Sequence, residues 1–100
     1  MAYEMLVGLQ VKDNEIYQQY RDAMMPILQS FGGSFGVDFK VAEVLKPAEG
    51  SKINRVFTIN FPDKQAMDAF FSNPEYLQAK ERFFEKSVAE TTIIASYEIS

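Results

Sequence analysis

A chain of 100 residues is long enough for one domain and too short for two with cores of their own, so residues 1–100 are read as a single domain. Hydrophobic residues make up 47% and charged residues 24%, an ordinary globular balance, and 9 Phe with 5 Tyr supply the large apolar areas a short chain needs. The net charge is −4 and the 10 basic residues are scattered, which excludes the clustered Lys and Arg that a nucleic-acid backbone or an anionic membrane surface requires.

Cys and His are both absent. That removes disulfides, thiolate nucleophiles, Ser-His-Asp and Cys-His catalysis, a haem on a proximal histidine, and the commonest transition-metal ligands. No metal and no cofactor is expected. No apolar run approaches the roughly 20 residues of a membrane-spanning helix. The opening Met1-Ala2-Tyr3-Glu4-Met5 has no basic stretch of the kind that begins a signal peptide, so a cytoplasmic protein is expected.

In chain order, Tyr3 to Val11 alternates with period two, Tyr3, Met5, Val7, Leu9 and Val11 on one face, and predicts a strand. Lys12-Asp13-Asn14-Glu15 breaks it and offers Asp13 or Asn14 as a helix cap. A helix follows, its stripe made by Ile16, Tyr17, Tyr20, Ala23, Met24, Ile27, Leu28 and Phe31. Pro26 predicts a bend or tightened turn within it, and Gly32-Gly33 its end. Ser34 to about Leu45 reads as a second strand, long enough that a bulge or break is expected inside it.

Residues Lys46 to Asn54 carry turn chemistry and predict an exposed hairpin loop, and Arg55 to Phe61 a third strand. Pro62-Asp63 caps a short helix through Phe70 and Phe71, and Asn73-Pro74-Glu75 restarts a helix that reaches about Ser87, its stripe made by Tyr76, Leu77, Lys80, Phe83, Phe84 and Val88. Thr91 to Ile99 is the last strand. The order β-α-β-β-α-α-β is that of an α+β, ferredoxin-like split βαβ sandwich, with an antiparallel sheet and its helices on one face.

Strict alternation assigns Met5, Val7, Leu9, Phe35, Val37, Phe57, Ile59, Ile93 and Tyr97 to the helical face. The open face then carries Leu6, Gly8, Gly36, Asp38, Val56, Thr58, Asn60, Ile94 and Ser96, a mixed set. Two readings fit. A second copy packs on this face, with Gly8 and Gly36 permitting close approach and a polar-lined pocket enclosed; or the face is half-solvated.

Tyr20, Asp38, Thr58, Asn60 and Ser96 are the candidate ligand-binding residues. Asp38 among Leu6, Val56 and Ile94 is expected to have its pKa raised by desolvation, as suits a general base; the alternative is a solvated carboxylate near a strand end. Tyr17 and Tyr20 are either pocket hydroxyls or core residues. Of the three arginines, Arg21, Arg55 and Arg82, any could clamp a carboxylate, and Arg55 is expected at the surface. Lys80-Glu81-Arg82 with Glu85-Lys86 reads as a solvated helix face.

Asp-x-x-x-Tyr-x-x-Tyr at Asp13, Tyr17 and Tyr20, Pro26, Gly-Gly-x-Phe at Gly32, Gly33 and Phe35, Phe61-Pro62, and Asn-Pro-Glu-Tyr at Asn73 to Tyr76 form an ordered set. With it the chain resembles, over nearly its whole length, the domain-of-unknown-function 1330 family, a branch of the dimeric α+β barrel superfamily. It departs from that family's pattern at Phe70 or Phe71, where a Trp is usual, at Phe83, next to Arg82, where an Arg is usual, and at Lys46-Pro47, where Glu-Gly is usual. The resemblance implies the fold and a homodimer. For function it leaves two classes, a non-catalytic dimer binding a small organic ligand in a pocket on the open sheet face, and a cofactor-free isomerase- or monooxygenase-like enzyme using a carboxylate and a tyrosine.

Overall fold

The computed structural model describes residues 2–47 and 52–99. Strand β1 (Ala2–Val11) leads into helix α1 (Asn14–Ser30). Asp13 caps α1 by accepting from the Ile16 amide at 3.0 Å. The helix runs on through Pro26, and Gly32 closes it at φ 75°, the left-handed conformation that glycine adopts without strain. Strands β2 (Ser34–Lys40) and β3 (Arg55–Phe61) follow, then α2 (Lys64–Ser72), capped by Asp63, and α3 (Pro74–Ala79), capped by Asn73.

The helix expected from Asn73 to Ser87 is not regular. A π-helical turn (Lys80–Phe84) interrupts it, the Glu85 amide donating to the Lys80 carbonyl, before a final turn, α4 (Glu85–Ser87). Ser87 is fully buried, and its hydroxyl donates back to the carbonyls of Phe83 and Phe84 at 2.9 and 3.2 Å. Strand β4 (Val88–Ile99) begins three residues earlier than alternation suggested, because Val88 pairs with Val11 across a register shift.

The sheet order is β2-β3-β1-β4, with every neighbouring pair antiparallel. Val7, Leu9, Val11, Phe57, Ile59 and Phe61 meet Tyr17, Tyr20, Met24, Leu28, Phe70 and Tyr76 in one core. This is the expected ferredoxin-like α+β sandwich. Strand β2 stops at Lys40, short of the expected Leu45. The Asn54 carbonyl still accepts from the Val41 amide, while the Asn54 side chain pairs with both backbone groups of Val11 at 2.8 Å. Of the expected loop, residues 48–51 lie outside the described residues. Ile53 lies against Gly8, where a Cβ would come within 2.8 Å of it.

The central pair β1 and β3 is regular from Tyr3↔Phe61 to Leu9↔Arg55. Both edge strands are bulged. Between Phe35↔Ile59 and Asp38↔Phe57, strand β2 spends two residues, Gly36 and Val37, against Thr58 alone. The Val37 amide donates to Thr58 Oγ1 at 3.1 Å, and a Cβ on Gly36 would stand 2.2 Å from that oxygen, so only glycine fits. On β4, Ile94 is the extra residue between Ala95↔Leu6 and Ile93↔Val7.

Directly paired residues share a face, so each bulge inverts the assignment beyond it. Asp38 and Ser96 leave the open face for the helical one, opposite Phe57 and Met5. Phe39 and Tyr97 take their places on the open face, opposite Val56 and Glu4. The expectation that Gly8 and Gly36 admit another surface is also corrected, since Ile53 and Thr58 of the same chain already fill those spaces.

Candidate functional site

A cavity of about 410 Å³ lies between the sheet and the helices and not on the open face. The two layers meet through long side chains. Tyr17, Tyr20, Arg21 and Met24 descend from α1, Tyr76 from α3, and Lys80 and Phe84 from the π-helical turn, onto Met5, Val7, Leu9, Phe35, Phe57 and Ile59 of the sheet. Rings meeting at their edges leave a gap: Tyr20 and Phe84 stand 4.9 Å apart and tilted by 58°, Tyr20 and Tyr76 6.3 Å apart and nearly T-shaped. Thr91 and Ile93 of β4 complete the wall, and Ile93 is 49% exposed, which places it at the rim. A volume of this size is that of a small-molecule site.

A buried charged side chain sits inside this aromatic wall. Arg21 is 7% exposed. Its guanidinium carbon lies 3.9 Å from the centre of the Phe35 ring and 4.6 Å from that of Phe57. Nε donates to Tyr17 Oη at 2.8 Å, and Nη1 reaches Asp38 Oδ2 at only 3.4 Å. Nη2 is buried with no hydrogen-bond partner among the described residues.

Arg55 holds Asp38 more tightly, in a two-pronged pair with Nε to Oδ1 and Nη2 to Oδ2, each 2.8 Å. Hydrogen bonding by Arg55 therefore holds the Asp38 carboxyl below its ordinary value, against the opposing effect of burial, with the charge of Arg21 helping. The expectation of a raised pKa is reversed. The reason is the bulge, which turns Asp38 from Leu6 and Val56 toward two guanidiniums. Arg55, expected at the surface, is half-buried over this pair, and its own pKa is raised by Asp38.

The tyrosine hydroxyls are held neutral. Burial raises Tyr17, and burial together with Tyr76 pushes Tyr20 well above the usual phenol range. Tyr20 and Tyr76 hydrogen-bond to each other at 2.9 Å. Burial raises Tyr76 as well.

Of the five residues expected from the sequence, Tyr20 lines the cavity. Asp38 stands behind Arg21. Ser96 lies opposite Met5 at an exposed edge position. Thr58 and Asn60 are on the other face, Thr58 filling the β2 bulge and Asn60 with its Oδ1 buried and unpaired. Arg21 was marked in the sequence only as one of three possible clamps, yet Tyr17, Tyr20, Arg21, Met24 and Leu28 share one helical stripe, and a cation inside an apolar stripe is the signal. Lys80, which the sequence places both on the helical stripe with Tyr76 and Phe84 and in the charged run Lys80-Glu81-Arg82, lines the cavity. Among the described residues, no group of three or more His, Cys, Asp or Glu gathers as metal ligands, and no helix is long and apolar enough to cross a membrane.

The fold has solved counterparts. A protein of unknown function from Rhodopseudomonas palustris is similar at TM-score 0.80 and 16% identity, covering 99% of this chain and 82% of that one. A DABB-family protein with a ferredoxin-like fold from Mesorhizobium loti is similar at TM-score 0.68 and 13% identity, covering 99% and 97%. A dimeric ferredoxin-like protein of unknown function from Thermobifida fusca is similar at TM-score 0.62 and 12% identity, covering 99% and 92%. No curated protein matches the chain. The profile described as Domain of unknown function (DUF1330) matches residues 2–97, and the chain belongs to that family.

Proposed function

We propose that this protein binds a small organic ligand in the cavity between its helices and its sheet, and that it works as a homodimer joined through the open sheet face. The observation that carries the ligand reading is the cavity itself, about 410 Å³ walled mainly by aromatic and aliphatic side chains, with a buried arginine and a pair of tyrosine hydroxyls as its polar features. The π-helical turn that brings Lys80 and Phe84 to the wall supports it, since such turns recur at functional sites.

The pocket is thus moved from the open face, where alternation put it, to the helical face. Tyr20 stays a ligand-binding residue in this reading, Asp38 holds Arg55 and Arg21, and Thr58 and Asn60 belong to the face that receives a second copy. Ser96 stands beside the cavity's sheet wall. The alternative of acid–base catalysis by a carboxylate and a tyrosine lacks its base among the described residues, because none of the acidic side chains there lines the cavity and Asp38 is already engaged by two guanidiniums. Support for the dimer comes from Phe39 and Tyr97, 56% and 39% exposed on the open face, and from several solved counterparts described as dimeric. The reading includes a cytoplasmic location, consistent with a chain that has no cysteine to oxidise.

Calorimetric titration with 1-naphthamide, a neutral aromatic probe, tests the cavity. Saturable binding of one probe per chain is expected, and Ile93→Trp at the rim should abolish it while leaving the circular dichroism spectrum unchanged. Binding that survives Ile93→Trp would move the site elsewhere.

A further inference from the structure

We infer that the cavity selects a hydrophobic monocarboxylate, with the carboxylate seated on Arg21 and the apolar body among the rings. The inference rests on the cavity being a ligand site and adds the chemical class of the ligand.

The argument is one of charge and of unmet hydrogen bonds. Two guanidiniums, Arg21 and Arg55, share the single carboxylate of Asp38, and Arg55 occupies both of its oxygens at 2.8 Å. Arg21 is left with the 3.4 Å contact to Asp38 and with an Nη2 group that has no acceptor among the described residues. The cluster therefore carries an excess positive charge. Among the described residues no acidic side chain lines the cavity, whereas Lys80 adds a second cation to its wall, in a chain whose net charge is −4.

A buried donor on a charged group without a partner is costly, and a guanidinium without full pairing is costlier still. A ligand carboxylate supplies the missing acceptor and the missing charge together, in the planar geometry that guanidinium favours. The remaining wall decides what the carboxylate is attached to. Phe35, Phe57, Phe71, Phe84, Tyr20 and Tyr76 offer ring faces and edges, suited to an apolar, ring-containing body. Arg21, Arg55 and Asp38 together carry one uncompensated positive charge, so one negative charge on the ligand is its complement.

The test compares 1-naphthoate with 1-naphthamide, nearly the same shape with and without the charge. The full-length protein is expected to bind the acid at least about tenfold more tightly than the amide, the factor that one charge-assisted hydrogen bond supplies. Arg21→Gln should bring the two to equal affinity, since the charged contact is removed. Equal binding of acid and amide by the unmutated protein overturns the monocarboxylate inference and leaves the cavity reading standing. An acid preference that persists in Arg21→Gln overturns the assignment to Arg21. Binding of neither probe overturns the cavity reading, and this inference with it. Should Arg21→Gln fail to fold, Arg21→Lys takes its place: it keeps the charge but loses the planar fork, and an undiminished acid preference there overturns the seating of the carboxylate on the guanidinium.

Discussion

The two faces of this sheet are finished in different ways. On the helical face the chain supplies its own cover, and the cover is imperfect: long aromatic side chains from both layers meet at their edges and leave the cavity beside Arg21. On the open face the chain supplies only local plugs, Ile53 over Gly8 and Thr58 inside the β2 bulge, and leaves Phe39 and Tyr97 in solvent. Charge follows the same division. Arg21, Asp38, Arg55 and Lys80 gather on the helical side. On the open side the described pairing is Tyr97 with Glu4, whose carboxylate raises the tyrosine's pKa. A face that closes on itself with a gap suits a small ligand, and a face with exposed rings and few charges suits a second protein surface.

The contrast is broken most forcefully at Phe70. This ring is fully buried and packs against Phe31, Phe61, Phe71 and Tyr76 at centroid distances of 4.5 to 6.2 Å. Phe70→Ala should cost about 4 kcal/mol in urea unfolding, the range for deleting a large buried ring. If Phe70→Ala costs under about 1 kcal/mol, the helical face is not where the stability of the fold resides.

Gly36→Val comes next. Its Cβ would sit 2.2 Å from Thr58 Oγ1, so either the bulge slips or the strand moves outward, at a cost of about 2–3 kcal/mol. The informative readout is Asp38. A slipped bulge returns its side chain to the open face, away from Arg55, and its carboxyl pKa, followed by NMR, should climb back toward the ordinary value of about 3.9. An Asp38 titration unmoved by Gly36→Val would mean that the glycine does not set the register of the edge strand.

Asp38→Asn probes the same cluster with a smaller effect. Two guanidiniums lose their shared carboxylate, and the loss should be about 2 kcal/mol at neutral pH, moderated because the carboxylate is partly exposed. The sign of its pH dependence follows from the lowered pKa. A carboxyl depressed in the folded state stabilises fully above its unfolded value of about 3.9 and loses that contribution as pH falls through the folded value. The gap between the parent and Asp38→Asn should therefore be constant at neutral pH and close below about pH 4. A gap that widens in acid would mean that Asp38 is a buried, raised carboxyl after all.

These variants also show where the sequence was a sufficient guide. Strands β1 and β3 pair with each other without a break from Leu9 to Tyr3, and there strict alternation assigned every face correctly. Asp13, Asp63 and Asn73 were legible as caps because an acceptor side chain before a helical stripe has one dominant use. The edge strands were not legible in the same way. A bulge costs one residue and inverts everything beyond it, and a lone Gly36 or Ile94 does not announce which position is the extra one. The length of the second strand signalled a bulge, but its place, and with it the faces of Asp38 and Phe39, depends on Thr58 three strand positions after Arg55. Candidate site residues chosen by parity were therefore separated: Tyr20 reached the cavity from a helix, while Thr58 and Asn60 stayed on the far side. Lys80 carried two readings, four residues after Tyr76 on the helical stripe and at the head of a charged run, and its place in the cavity wall follows the stripe.

The smallest expected effect on the fold, and the sharpest test of the open face, comes from Phe39→Asp. Phe39 is 56% exposed and lies opposite Val56, so within one chain the substitution removes little buried area and should change stability by no more than about 0.5 kcal/mol. In a dimer packed sheet to sheet, the same change puts an unpaired carboxylate into the middle of an apolar contact, a penalty of several kcal/mol felt once from each copy. Sedimentation at micromolar concentration should show the parent at the mass of two chains and Phe39→Asp at the mass of one, with both unfolding at nearly the same urea concentration when compared as monomers. A parent that sediments as a single chain removes the second copy altogether. A dimer that tolerates Phe39→Asp keeps the second copy but moves it off this face, and the exposed rings of Phe39 and Tyr97 then need a different cover.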